Sequence, residues 1–364
     1  MNITGFEVFR YKLPLKETVM VRDAKMESRE GFVLKLTNEI GHSGFGEISP
    51  LPGLSREITA TARQQITSLR TKLLNGEIPG GVEKCSGQFE KWLAPYQLSS
   101  SVRFGLEMAV MSLVAQSRRQ TVSDLIPGFY HEQVHLSGLL LGPHSAVVAQ
   151  AQEMIGQGFR SLKLKIGRQK LKDDIQTIKA VHEICAGKAL LRLDANQSLD
   201  YGAAVTIGKE ISCAAVEYIE EPFPQTEMIP EFFQETMIPV ALDETLLDRK
   251  WEDIKSIEGV DVLVVKPTVL GGIEKTLQLV KTANSYGIEV VISSAFETGL
   301  GLAVLIAMAG SLKGGPAAGL DTIKWFRKDL LVSPLQIIKG NLANSRAIIK
   351  DQDIDFSVLE SLEK

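Results

Sequence analysis

Apolar and polar positions alternate in three short stretches near the start of the chain, at residues 3–13, 30–38 and 41–49. Each stretch is rich in β-branched or aromatic residues and is bounded by Gly, Asn or Pro, as strands commonly are. The pattern predicts a three-stranded antiparallel sheet. Residues 17–28 (ETVMVRDAKMES) show no clean period, and we expect a long loop there, between the first two strands.

Helical spacing follows the sheet, at residues 58–74 and again at residues 101–117, where apolar residues return every three or four positions. The first 125 residues are therefore predicted to form an α+β domain. Residues 330–364 remain after the second domain is complete, and we expect them to pack back onto this first domain.

From residue 126 to residue 329 the pattern changes to short apolar strands, each followed by a helical stretch, which is typical of parallel βα units. Eight candidate strands lie at residues 134–142, 161–167, 189–196, 216–222, 238–245, 261–268, 288–298 and 317–322. No GxGxxG turn accompanies them. The pattern therefore favours a closed (β/α)8-type barrel, with the first domain as its cap, over an open dinucleotide-binding sheet.

Charged residues stand at the carboxyl ends of five consecutive predicted strands, which is where barrel enzymes build their active sites. Asp194, Glu220 and Asp243 come from three neighbouring strands. Any one of them alone is better explained as a helix N-cap or a surface ion pair. Three carboxylates together, without nearby His or Cys, indicate a hard cation such as Mg²⁺.

Lysines occupy the other strand ends. Lys163 and Lys165 are two residues apart in one strand, so both side chains project to the same side. Mutual repulsion would lower the pKa of at least one of them, and a lysine so tuned can act as a general base near neutral pH. Lys266 approaches from the opposite side of the barrel. Lysines around a cation suggest a pocket for a carboxylate that becomes an enediolate.

Composition excludes several other classes of function. The 364 residues carry a formal net charge of -4, with 40 basic and 44 acidic residues, and give no broad positive field for nucleic acid or an anionic membrane. The longest apolar run, residues 299–310, is shorter than the ~20 residues of a membrane span. A buried helix explains it better.

The three cysteines and the amino terminus point to a cytoplasmic protein. Cys85, Cys185 and Cys213 lack the spacing of a disulfide framework or a zinc site, and inert thiols in a reducing cytosol are expected. Glu7 and Arg10 interrupt the first apolar stretch, which argues against a secretory signal. The sequence leaves the oligomeric state open and is compatible with a monomer.

The strand-end motifs KLK, LDAN, EEP, LDET and VVKP resemble those of the enolase superfamily, specifically its muconate-lactonizing-enzyme subgroup. Residues 46–57, 101–109, 291–302 and 319–322 are similar to the o-succinylbenzoate synthase family, and residues 19–31 resemble an active-site loop of that family. Lysine bases acting with magnesium are characteristic of the superfamily.

The resemblance implies a role for each candidate residue. Asp194, Glu220 and Asp243 would bind Mg²⁺, with Mn²⁺ as a possible substitute, and Lys165 would remove the α-proton of a small carboxylate substrate. Lys163 would hold the carboxylate and Lys266 would face the intermediate. The positions that match the family's substrate pocket are Asn196, Ser293, Ser294 and Gly319, with Arg22 and residues 51–55 closing it from the cap.

The implied reaction is the dehydration that gives o-succinylbenzoate in menaquinone synthesis. A racemase or epimerase of N-succinylamino acids or dipeptides would use the same residues, with Lys165 and Lys266 as bases on opposite faces of one carbon. A barrel that only binds a ligand would keep these charges at a high cost. No histidine falls at the seventh strand end, which disfavours an acid-sugar dehydratase. Glu221, beside Glu220, remains an alternative ligand.

Overall fold

The computed structural model describes residues 1–211, 215–249, 251–344 and 348–362. The strands are β1 (Ile3–Val21), β2 (Ala24–Asn38), β3 (Ser43–Ile48), β4 (Gln133–His135), β5 (Ser137–Leu140), β6 (Ser161–Lys165), β7 (Leu190–Asp194), β8 (Tyr218–Glu220), β9 (Val240–Leu242), β10 (Val260–Val265), β11 (Glu289–Ile292), β12 (Asn341–Ala343) and β13 (Leu359–Ser361). The α-helices are α1 (Thr59–Leu73), α2 (Gln88–Leu93), α3 (Ser100–Ser117), α4 (Val122–Leu125), α5 (His144–Gly156), α6 (Leu171–Cys185), α7 (Tyr201–Glu210), α8 (Ile229–Thr236), α9 (Thr245–Asp248), α10 (Trp251–Ile254), α11 (Pro267–Leu270), α12 (Ile273–Ser285) and α13 (Gly299–Gly310).

An antiparallel sheet in the order β13-β1-β2-β3 forms the first layer. Strands β1 to β3 confirm the predicted three-stranded sheet, and β13 adds a short edge strand from the end of the chain. Helix α3 covers β3 so closely that a Cβ atom on Gly46 would lie 1.9 Å from the backbone oxygen of Gly105. Glycine at both positions lets the two backbones touch. The predicted boundaries at residues 125 and 330 stay predictions.

The predicted loop at residues 17–28 is wrong. β1 and β2 continue as one hairpin, with Val19 paired to Met26 and Val21 paired to Ala24, and the chain turns at Arg22. The pairing shifts register between Pro14 and Val19. An irregularity of this kind breaks the alternation of apolar and polar residues, and this is why the sequence showed no period there.

Seven parallel strands in the order β11-β10-β9-β8-β7-β6-β5 make the second domain. The two edges of this sheet meet residues 318–319, where Ala318 bridges to Leu136 and Gly319 bridges to Ser293, both in parallel. The eighth predicted strand is thus reduced to two bridges. The first predicted strand, residues 134–142, is divided into β4, which pairs with β12, and β5, which joins the barrel. The α/β barrel with its capping domain is confirmed.

Helix α13 confirms the prediction of a buried helix at residues 299–310, since all but one of its residues are buried. In the described part of the chain, no helix has the length and apolar character required to cross a membrane. Cys85 and Cys185 are buried free thiols, whereas Cys213 lies outside the described residues.

Two buried charged residues of the cap bind the barrel. Glu47 on β3 accepts hydrogen bonds from the Thr298 hydroxyl at 2.7 Å and the Gly301 amide at 2.9 Å, at the first turn of α13, and from the Tyr11 hydroxyl at 2.6 Å. Arg29 on β2 donates to backbone oxygens on both domains, among them Pro50 at 2.5 Å and Phe296 at 3.0 Å. These hydrogen bonds therefore fix the cap against the segment that follows β11.

Candidate active site

A cavity of about 650 Å³ opens at the carboxyl ends of the barrel strands. The barrel provides its floor, and the tip of the β1–β2 hairpin together with Leu51 and Leu54 provides part of its wall. The predicted residues that line it are Arg22, Lys163, Lys165, Asn196, Asp243, Lys266, Ser293, Ser294 and Gly319. Asp194 and Glu220 are fully buried beneath this surface.

Strand β6 places its two lysines as the alternation predicted. Leu162 and Leu164 are buried on the other face, while Lys163 and Lys165 line the cavity. The Lys165 ammonium donates to Asp194 Oδ2 at 2.5 Å and to Asn196 Oδ1 at 2.6 Å.

The acidic residues stand on adjacent strands. Asp194 on β7 is directly opposite Glu220 on β8, and the Lys163 ammonium lies 2.6 Å from an oxygen of each. Asp243, just after β9, pairs with Lys266, just after β10. The structure thus brings together the six residues that the sequence predicted as metal ligands or active-site lysines.

Burial and neighbouring charges separate the pKa values of these groups. Burial lowers the pKa of Lys165, and the nearby Lys163 lowers it further, against the opposing effect of Asp194. Burial also acts to lower the pKa of Lys163, but the charges of Asp194 and Glu220 outweigh it and raise that pKa well above the usual value. Of the two lysines on β6, Lys165 is therefore the one suited to lose its proton.

The carboxylates offer a donor set that suits a hard cation, because all their ligating atoms are oxygens. Glu220 is the clearest sign: burial and the charge of Asp194 raise its pKa, and its Oε2 atom is buried without a hydrogen-bond partner among the described residues. A bound dication would favour the ionised form of Glu220 and would give its Oε2 atom a partner. In the described residues, however, no three His, Cys, Asp or Glu side chains already surround a common point as metal ligands do. The lysine ammonium groups lie between the carboxylates instead.

Glu221 has a different environment from Glu220. Its Oε1 accepts hydrogen bonds from the backbone amides of Asp243 at 2.8 Å and Thr245 at 2.7 Å, and its Oε2 accepts from the Thr245 hydroxyl at 2.8 Å and Gln197 Nε2 at 2.7 Å. Four donors engage the carboxylate, and Glu221 therefore fastens the turn that carries Asp243. Glu220 is the better candidate for a ligand.

Glu244 was missed by the sequence analysis. It is 5% exposed, lines the cavity, and accepts a hydrogen bond from Asn196 Nδ2 at 2.8 Å. The only signal in the sequence was its place beside Asp243, which a helix N-cap explains equally well. Asn196 itself lines the cavity, but its amide is engaged by Lys165 and Glu244.

The remaining predicted pocket residues also line the cavity. Ser294 Oγ is 2.6 Å from Thr322 Oγ1, and Ser293 Oγ donates to the Gly319 oxygen at 3.3 Å. Arg22 is exposed at the hairpin tip. The sequence did not indicate Arg168 or Trp325, which also line the cavity.

Comparison with known families agrees with this geometry. The family described as "Enolase C-terminal domain-like" matches residues 146–347, which is more than half of the chain, and "MenC, N-terminal domain" matches residues 3–113. An o-succinylbenzoate synthase of Aliivibrio salmonicida (strain LFI1238) is 30% identical, over 89% of this chain and 92% of that protein. The chain belongs to the o-succinylbenzoate synthase family of the enolase superfamily.

Two further proteins are similar in sequence to this chain. An o-succinylbenzoate synthase of Vibrio cholerae serotype O1 (strain M66-2) is 30% identical over 89% of this chain and 90% of that protein. Protein PHYLLO, chloroplastic, of Arabidopsis thaliana is 28% identical over 98% of this chain. The chain spans only 24% of the length of that plant protein.

Solved structures share the fold of this family member at low identity. An N-succinyl Arg/Lys racemase from Bacillus cereus ATCC 14579 superposes with a TM-score of 0.86 at 20% identity, covering 100% of both chains. A muconate lactonizing enzyme from Pseudomonas fluorescens gives a TM-score of 0.85 at 19% identity, covering 98% of both chains. A dipeptide epimerase from Enterococcus faecalis V583, complexed with Mg and a dipeptide, gives 0.84 at 22% identity, covering 95% of this chain and 98% of that one.

Proposed function

We propose that this protein is an o-succinylbenzoate synthase, a hydro-lyase of menaquinone biosynthesis. It would convert 2-succinyl-6-hydroxy-2,4-cyclohexadiene-1-carboxylate into 2-succinylbenzoate and water. The observation that carries the proposal is Lys165, a lysine of lowered pKa whose side chain is only 18% exposed and faces a cavity lined by carboxylates and lysines. The relatives named o-succinylbenzoate synthase support this choice of substrate.

Lys165 is the proposed general base. As a neutral amine it takes the proton from the ring carbon that bears the carboxylate, leaving an enediolate. The ring C–O bond then breaks, and the leaving hydroxyl takes the proton back from Lys165 and departs as water. The ring becomes aromatic, so one C–H and one C–O bond are lost and no oxidant is needed.

The enediolate carries a second negative charge on the carboxyl group, and the site must stabilise it. Lys163 would bind a carboxylate oxygen and Lys266 would face the ring from the opposite side of the barrel. Electrostatic groups held in place before the reaction supply a large share of catalysis, and the loss of one commonly costs about 100- to 1000-fold.

Asp194, Glu220 and Asp243 would hold Mg²⁺, or Mn²⁺ in its place. The metal, when bound, supplies positive charge beside the carboxylate that turns into the enediolate. The unpartnered Oε2 atom of the buried Glu220 side chain supports this assignment. Ser293, Ser294 and Gly319 would shape the pocket wall, and Arg22 would close the pocket from the hairpin.

Racemisation of N-succinylamino acids, or epimerisation of dipeptides, is the second candidate. Lys165 on β6 and Lys266 after β10 approach the cavity from different sides, which two bases acting on opposite faces of one carbon require. Proteins of similar fold carry the names racemase and epimerase.

The test is to supply the cyclohexadiene substrate with Mg²⁺ and follow the rise of aromatic absorbance, with chelator as a control. Racemisation of N-succinyl amino acids and epimerisation of dipeptides are followed in parallel by polarimetry. Dehydration that is fast relative to both supports the proposal. Racemisation or epimerisation without dehydration would refute it in favour of the second candidate.

A further inference from the structure

Glu244 is a buried carboxylate that does not cap the helix it precedes and instead contacts a residue of the candidate active site. It stands at the N-cap position, directly before α9 (Thr245–Asp248), where an acidic side chain can cap the helix. The structure shows no capping hydrogen bond from this side chain. Instead the carboxylate reaches the turn that follows β7, where its Oε1 accepts a hydrogen bond from Asn196 Nδ2 at 2.8 Å.

Asn196 connects Glu244 to Lys165. Its Oδ1 accepts from the Lys165 ammonium at 2.6 Å while its Nδ2 donates to Glu244. A side-chain amide has a donor end and an acceptor end, whereas an ammonium only donates and a carboxylate only accepts. With a cation on one side and an anion on the other, the amide has one orientation that satisfies both. Glu244 therefore keeps the oxygen of Asn196 directed at Lys165.

The orientation matters for a lysine that acts as a base. A neutral amine has two N–H bonds and one lone pair. Among the described residues, Lys165 has two acceptors, Asp194 Oδ2 at 2.5 Å and Asn196 Oδ1 at 2.6 Å. When both N–H bonds are directed at these acceptors, the lone pair is left for the cavity. A base must be aligned with the proton that it removes, and small misplacements are costly.

We infer that Glu244 is a positioning residue for Lys165, acting through the Asn196 amide to direct the lysine's lone pair at the substrate. The inference rests on the proposed role of Lys165 as the base. Without Glu244 the amide can turn its NH₂ group toward the lysine, and one of the two acceptors is lost. Substitutions of groups that orient the ligands of a metal site commonly cost about 10- to 100-fold in activity, and we expect a loss of the same order here.

The test uses Glu244→Met, which matches the side chain in length, and Glu244→Gln, which keeps an oxygen that can accept from Asn196. We expect the methionine variant to lose about 10- to 100-fold in kcat with KM unchanged. The glutamine variant should retain most of the activity. Asp248→Asn, on the same helix but exposed, is the matched control and should behave as the wild type. Glu244→Ala replaces the methionine variant if that protein does not fold.

A double-mutant cycle distinguishes positioning from a general structural role. In an Asn196→Ala background, Glu244→Met should cost little more, because the link to Lys165 is already broken. If the two losses multiply instead, Glu244 does not act through Asn196 and the inference is wrong. A large fall in Mg²⁺ affinity by calorimetry would also overturn it, because Glu244 would then be acting on the metal.

Two outcomes separate this inference from the proposed function. If Lys165→Ala keeps its turnover, the assignment of the base fails. If Lys165→Ala is inactive while Glu244→Met matches the wild type, only the positioning role fails. A crystal structure of the Glu244→Met variant gives a readout besides turnover: we expect the Asn196 side chain to move, so that its amide no longer lies 2.6 Å from Lys165 Nζ, and an amide that stays in place would contradict us.

Discussion

Replacing Glu47 tests how the capping domain is held against the barrel. The carboxylate is completely buried on β3 and accepts hydrogen bonds from Tyr11, Thr298 and Gly301. Two of the donors are backbone amides at the start of α13, where a negative charge is also favoured by the helix dipole. We expect Glu47→Ala to destabilise the protein strongly and Glu47→Gln to destabilise it less.

The magnitudes follow from counting donors. Glu47→Ala leaves the Tyr11 hydroxyl, the Thr298 amide and hydroxyl, and the Gly301 amide without this acceptor. At the lower end of the cost of a buried unsatisfied group, about 1 kcal/mol each, the free energy of unfolding should fall by about 4 kcal/mol. In Glu47→Gln the NH₂ group can face Tyr11, whose hydroxyl rotates to accept, while the oxygen keeps Thr298 and Gly301. The loss is then mainly the charge, about 1–2 kcal/mol.

Urea unfolding followed by circular dichroism measures both variants against the wild type. Glu27→Gln, on the same sheet but exposed and paired with Lys25, serves as the control and should unfold at the wild-type urea concentration. The reasoning is refuted if Glu47→Ala lies within about 1 kcal/mol of the wild type, or if Glu47→Gln is destabilised as much as Glu47→Ala.

Three further predictions concern the site and the pH dependence of stability. Lys165→Ala should abolish turnover and leave Mg²⁺ affinity by calorimetry nearly intact; substantial residual turnover would exclude it as the base. Glu221→Leu should weaken Mg²⁺ binding about 10- to 100-fold by releasing the turn that carries Asp243, with Glu221→Gln milder, and equal affinities in all three proteins would contradict this. Burial raises the pKa of Asp329 from 3.8 to about 6, so the native state holds its proton more tightly than the unfolded state does. The resulting stabilisation is complete below pH 3.8 and is lost as the pH rises through 6. Relative to Asp329→Asn, the wild type should therefore lose up to about 3 kcal/mol in unfolding free energy between pH 4 and pH 7, measured by urea titration, and a constant difference would refute the shift.

The barrel and the charged residues of its mouth were predictable because they depend on short-range rules. Alternation in β6 placed Lys163 and Lys165 on one side, and the rule that strand ends converge brought Asp194 and Glu220 into contact with them. The long apolar run of α13 was identified as a buried helix for a similarly local reason.

The features that the sequence did not reveal depend on partners distant in the chain. The hairpin tip was interpreted as a loop because a register shift after Pro14 interrupts its period. Glu221 was ambiguous and Glu244 was missed because the same residue type serves as a cap, a ligand or a backbone acceptor. Only the positions of Asn196 and Thr245, on other turns, distinguish these roles.

The wall of the cavity and its charged floor come from different domains. The outer part of the hairpin of β1 and β2, beyond the register shift, contributes Val19 to Arg22 to the cavity wall, whereas all the lysines and carboxylates at the floor belong to the barrel. Changes in the length or sequence of this hairpin can therefore alter which molecules enter the cavity without disturbing the proposed base and the other charged groups of the floor. A graft of residues 17–28 from a relative that acts on a different acid would be a direct way to exchange selectivity while the chemistry is retained.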